Sequence, residues 1–252
     1  LPALSEHCIG YLNLDMIGER DTHDYSTIMA TPEIAALAAG AVELTTGQRP
    51  RVVHPVRSAD QSFWGAGVPY TSIYPQRTPD QENNAPGSTS PWWWHTEEDT
   101  FDKIGPDVLL RDAKTHLLIA LRLCCPERAP HDLAASAACL RKQVGALEEE
   151  SGLKLTVVNE ALDRLDRAAR REDLPNRRRL AAMRPLIELL AQAAPAHLHD
   201  RAVPTPPIPG LRTAAFQAAG EGEKNGFAQT SLLRAENRAA LLILRAARAL
   251  EE

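Results

Sequence analysis

Aromatic residues are scarce in this sequence: Phe, Tyr and Trp make up 5% of 252 residues, so the run Trp92-Trp93-Trp94 concentrates an unusual share of apolar bulk. Charge of one sign is missing as well. The formal charge is −5 with both signs spread along the chain, and without a basic stripe a nucleic-acid partner has no electrostatic footprint. No apolar run approaches the ~20 residues that a membrane-spanning helix requires. Cysteines are few: Cys8, Cys124, Cys125 and Cys139, with no Cys-x-x-Cys pair. Adjacent Cys124 and Cys125 point in different directions on a helical pattern, which argues against a thiolate metal site or redox motif. Too sparse for a disulfide scaffold, the four leave the compartment undecided. An initiating Met is also absent. The chain opens on Leu1 and is expected to start inside a longer protein, so the lack of a signal peptide says nothing about localisation.

What is present is organised around Pro91-Trp92-Trp93-Trp94-His95-Thr96-Glu97-Glu98-Asp99-Thr100. An imidazole held by bulky neighbours has few rotamers and restricted water access, which suits a metal ligand or catalytic base. A buried apolar corner followed by a solvated acidic turn would read the same way. Upstream, residues 8–14 have the pattern of a buried strand, apolar on both faces, and Asp15 follows at its carboxyl end. Sites in α/β sheets assemble at such ends. A turn-capping Asp is the plain alternative.

The pattern then predicts strands at 26–30, 51–56 and 68–74, a helix from Pro32 to about Thr46 ending at Gly47, and a short helix at Phe63-Trp64 stopped by Gly65 and Gly67. Alternation of this kind predicts a three-layer α/β domain. Residues 75–90 form a long loop leading to His95, and Gly105-Pro106-Asp107 starts a helix running through Leu123. Val108, Leu109, Ala113, Leu117 and Leu121 are its expected apolar stripe. Beyond Pro126 and Pro130 the composition shifts to Ala, Leu, Arg and Glu, predicting helices at 131–150, 156–171, 176–193 and 225–251. A polyproline-like crossing is expected at 203–210. Leu232, Leu233, Ala240, Leu241 and Leu244 recur at helical spacing, which fits packing on the core, on sister helices or on a second subunit.

Asn13-Leu14-Asp15-Met16-Ile17-Gly18, Ser58-Ala59-Asp60-Gln61-Ser62-Phe63, Ala66-Gly67-Val68-Pro69 and Trp94-His95-Thr96-Glu97-Glu98-Asp99-Thr100 occur in that order. In that arrangement the chain resembles the co-catalytic zinc aminopeptidases of metallopeptidase family 28, which also includes glutamate carboxypeptidases and glutaminyl cyclases. The resemblance covers residues 8 to about 122, and the tail looks like the helical region of larger members.

It implies the carboxyl-terminal half of a three-layer, mixed-sheet α/β zinc exopeptidase domain at 1–125, then an all-α region at 126–252 that packs or dimerises. It also implies two zinc ions, a peptide substrate, and Asp15 and His95 as one ligand to each metal. Such a metal pair shares a hydroxide nucleophile and polarises the scissile carbonyl. The family's His-x-Asp and Glu-Glu pairs, carrying the other ligands and the general base, are expected upstream of Leu1. The chain alone is accordingly expected to be inactive, and to be poorly soluble or oligomeric through an uncovered sheet face and edge.

Asp60, Gln61, Phe63 and Trp94 are implied pocket residues, with Gln61 standing where the family often has His. Asp99 is placed to orient the imidazole. The other readings are a non-catalytic, transferrin-receptor-like relative serving dimerisation or binding, and a glutaminyl cyclase-type acyltransferase. His197-Leu198-His199-Asp200 reads as a solvated loop.

Overall fold

The chain is seen here as a computed structural model that describes residues 2–55, 63–73, 75–81, 84–86, 90–171, 173–192, 206–221 and 226–252. Strands β1 (Tyr11–Asn13), β2 (Thr27–Ala30), β3 (Arg51–Val53) and β4 (Tyr70–Ser72) form a mixed sheet in the order β1-β4-β2-β3. β1 runs parallel to β4 and β2 parallel to β3, while β2 and β4 are antiparallel with Met29 opposite Ser72. The strands are shorter than the apolar runs predict. Pro69 and Pro55 have no N–H to give to a ladder, so β4 starts after the first and β3 stops before the second.

Alternate strand residues feed two cores. Ile28, Ala30 and Ile73, with Leu12 and Val52 partly buried beside them, pack against helices α2 (Pro32–Thr46) and α3 (Pro106–Cys124). Tyr70, with Tyr11 and Met29, faces the core formed by α4 (Leu133–Ser151), α5 (Thr156–Ala169), α6 (Asn176–Ala191), α7 (Pro209–Glu221) and α8 (Gly226–Glu251). The chain's own helices therefore cover part of the second sheet face: Tyr70 is fully buried there, while Tyr11 and Met29 are only half-buried. A short helix, α1 (Pro2–His7), precedes the sheet. Among the described residues no helix is long and apolar enough to cross a membrane.

Glu33 fastens the two parts together. Fully buried in the first turn of α2, it accepts from the Ser136 hydroxyl of α4 at 3.0 Å, and its carbonyl accepts from Asp132 N–H at 2.8 Å. Burial pushes its carboxyl above the usual range, against the pull of hydrogen bonds from Thr31 and Ser136.

Three helix readings need correction. The buried face of α3 is Val108, Asp112, Thr115, His116, Ile119 and Leu123, whereas the predicted stripe residues Leu109, Leu117 and Leu121 are exposed. Asp112 and Thr115 bring hydrogen-bond partners with them, which lowers the cost of burying them, and His116 is bonded through Nδ1 to the Asp112 carbonyl. Thr115, for instance, shares a 2.6 Å hydrogen bond with Thr45 of α2. The Pro-rich segment is not extended through Gly210 either. Pro209 opens α7, a good first-turn residue, and the buried Ile208 donates its N–H to Leu190 O at 3.1 Å. Residues 203–205 lie outside the described residues. In α8, Leu232 and Ala240 are buried, while Leu233 and Leu241 face out.

Candidate active-site cleft

β1 delivers Asn13 and Leu14 to Asp15, which is exposed just beyond the sheet. Two residues with positive φ then turn the chain, Met16 at 56° and Gly18 at 76°. Gly18 suits this turn because a left-handed backbone strains a Cβ. A Cβ there would also lie 2.9 Å from the Leu109 Cβ of α3. Buried Asp112 of α3 accepts the Gly18 N–H at 2.8 Å and the Tyr25 hydroxyl, and burial together with this bond pushes the Tyr25 phenol well above its usual range. Arg111 donates to the same phenol oxygen at 2.8 Å.

The loop after Asp15 lies along the turn that follows His95. Gly105 N–H donates to Gly18 O at 2.9 Å and Arg20 N–H to Lys103 O at 2.8 Å. Between the two segments is a cleft of about 170 Å³, walled by Met16, Ile17 and Glu19 on one side and by Trp93, Trp94, Asp99 and Lys103 on the other. The tryptophans divide their roles. Trp93 is buried, with the Arg77 and Lys103 cations 5.7 and 5.6 Å from its ring, whereas Trp92 and Trp94 are exposed. His95 is exposed, with φ 61°, and its ring stacks on Trp94 at 3.8 Å. Non-glycine residues held at positive φ are uncommon and concentrate where function imposes the geometry.

Of the other predicted site residues, Asp99 lines the cleft, but it makes no hydrogen bond to the His95 ring and does not orient it. Phe63 packs edge-on against Tyr11 at 4.8 Å rather than walling this cleft. Asp60 and Gln61 lie outside the described residues, as do His197 and His199. His116 and His131 are buried and bonded to backbone carbonyls of Asp112 and Ile9.

A carboxylate and an imidazole are donor types that suit catalytic zinc. Their number does not suffice: among the described residues no group of three or more His, Cys, Asp or Glu is arranged to hold a metal ion.

Glu19 escapes sequence reasoning, because it sits in a polar stretch with no periodicity. Burial raises its carboxyl to about 7, Arg77 pulls it down, and Asp99 pushes it up further. A carboxyl titrating near neutrality in a cleft can give or take a proton there. It also predicts a pH effect. The folded pKa lies above the unfolded value, so the native state holds the proton more tightly. That contribution to stability is complete below about 4.5 and is lost as pH rises through about 7. The urea midpoint of the wild type should fall between pH 5 and pH 8, and Glu19→Gln should flatten that decline. A decline of equal size in the variant would assign the effect to another group.

In comparisons with known proteins, the chain matches no family model and no curated sequence.

Proposed function

We propose that this chain is the carboxyl-terminal half of a zinc-dependent exopeptidase, by preference an aminopeptidase, in which Asp15 and His95 each contribute one ligand to a two-metal site. Residues 1–125 are then half of its catalytic α/β domain and 126–252 a helical region packed on it. The observation that carries this reading is convergence. Two motifs 80 residues apart in sequence, one after β1 and one before α3, have their adjoining residues Met16, Ile17, Trp93 and Trp94 in the walls of one cleft. The indole faces and aliphatic side chains there offer a substrate side chain an apolar seat. Among the described residues no group of three or more His, Cys, Asp or Glu, with or without Asp15 and His95, could hold a metal ion. The remaining ligands and the general base belong, on this reading, upstream of Leu1.

The test is hydrolysis of an aminoacyl-nitroanilide by the intact protein. Chelator should abolish turnover and zinc restore it. Asp15→Ala and His95→Ala should each cost more than the roughly 10- to 100-fold loss typical of residues that merely support a ligand. The 252-residue chain alone should be inactive. Chelator-sensitive turnover by that chain, or full activity in either variant, would overturn the reading.

The missing third donor favours one second reading, a non-catalytic relative whose helical region serves dimerisation or binding. An intact protein that binds no zinc and hydrolyses nothing would select it.

A further inference from the structure

We propose that the cleft bounded by the loop before α4, the end of α5 and the start of α6 is a binding site for inorganic phosphate. It has a volume of about 510 Å³, and among the described residues Arg128, Arg170, Arg171 and Arg179 line it together with His131 and one acid, Asp132. Four arginines thus outnumber the acids described around the cleft, and Asp132 is already engaged as the cap of α4, accepting from Ala135 N–H at 2.9 Å.

The cations are largely uncommitted. Arg171 donates to Leu250 O at 2.9 Å and lies 3.7 Å from Asp173, but Arg128, Arg170 and Arg179 have no ion pair within 4 Å among the described residues. Arg179 gives one nitrogen to His131 O, and its buried Nε has no partner. Burial and the neighbouring Arg128 make this guanidinium less basic than usual, with the Asp132 carboxylate pulling the other way.

His131 narrows the choice of anion. The ring is fully buried, its Nε2 meets Ile9 O at 2.7 Å, and its Nδ1 has no partner. A nitrogen facing a carbonyl must carry the proton, so in the neutral ring Nδ1 is a vacant acceptor. The complementary ligand carries several anionic oxygens for the arginine forks and one hydroxyl to donate to Nδ1. Hydrogen phosphate has both; sulfate at neutral pH has only the oxygens. The frame is preformed, because Asn176 of α6 clamps the loop through Ala129 N–H at 2.7 Å and Glu127 O at 2.8 Å.

Calorimetric titration of the chain at pH 7 with potassium phosphate, sulfate and chloride at matched ionic strength tests this. Phosphate should bind saturably and several-fold more tightly than sulfate, and chloride should give no saturable signal. Arg128→Gln with Arg170→Gln alters two exposed side chains, so the circular dichroism spectrum should be unchanged while phosphate affinity drops at least tenfold. Equal responses to the three salts, sulfate binding as tightly as phosphate, or an unaltered affinity in the double variant would each overturn the assignment.

Discussion

Gly67→Ala is expected to push α6 off the Trp64–Ala66 turn and lower stability by about 2–5 kcal/mol. Gly67 closes the 3-10 turn Trp64–Ala66 with φ 67°, its N–H bonding to Trp64 O at 2.8 Å. A Cβ there would stand 2.7 Å from the Arg184 Cβ and 2.8 Å from the Arg184 Cα of α6. The left-handed backbone alone costs a Cβ about 1–2 kcal/mol, and overpacking against a helix backbone that cannot rotate away adds about 1–3 kcal/mol. The turn it closes joins the two parts of the chain, since Gln192 Nε2 donates to Trp64 O at 3.2 Å and the Trp64 ring packs edge-on to Tyr70. Gly145→Ala is the control: it lies inside α4 with nothing within 4 Å of the added carbon, so it should stabilise by about 0.5–1 kcal/mol. Equal urea midpoints for the two variants would show that this contact does not govern the packing.

Asp112→Ala is the second large effect. It strands the Gly18 N–H and the Tyr25 hydroxyl, both buried and both donating to this carboxylate. At about 1–3 kcal/mol for each unsatisfied group, the loss is roughly 2–6 kcal/mol. Asp112→Asn keeps one accepting oxygen and presents an amide where the other stood, so it should lose about half as much. Because Gly18 terminates the loop that carries Asp15, amide exchange at Gly18 should accelerate more than exchange in α8. Uniform acceleration across both would reduce Asp112 to a general stabiliser with no special hold on the site.

Local chemistry made much of this fold legible. Pro32 and Pro106 mark helix starts and Gly47 a helix end, as their backbone preferences require, and strand–helix alternation indicates the layered sheet. What could not be read depends on distant partners. Asp112 is an interior residue because Gly18, 94 positions away, and Tyr25 supply its donors, so counting apolar positions selects the wrong face of α3. The α7 helix was hidden behind prolines that suggested an extended crossing. At the site, Asp15, Trp94 and His95 were visible as motifs. Glu19 gains its character only from folding against the far segment, where burial and Asp99 act on it. The three tryptophans, alike in sequence, separate into one buried and two exposed rings.

The zinc content of the intact protein tests the central claim most directly. After purification with zinc and removal of free metal, the wild type should retain about two ions per chain, as a co-catalytic pair requires. Asp15→Ala and His95→Ala should each retain fewer. Wild-type metal content in both variants, or none in the wild type, would contradict the assignment of Asp15 and His95 as ligands.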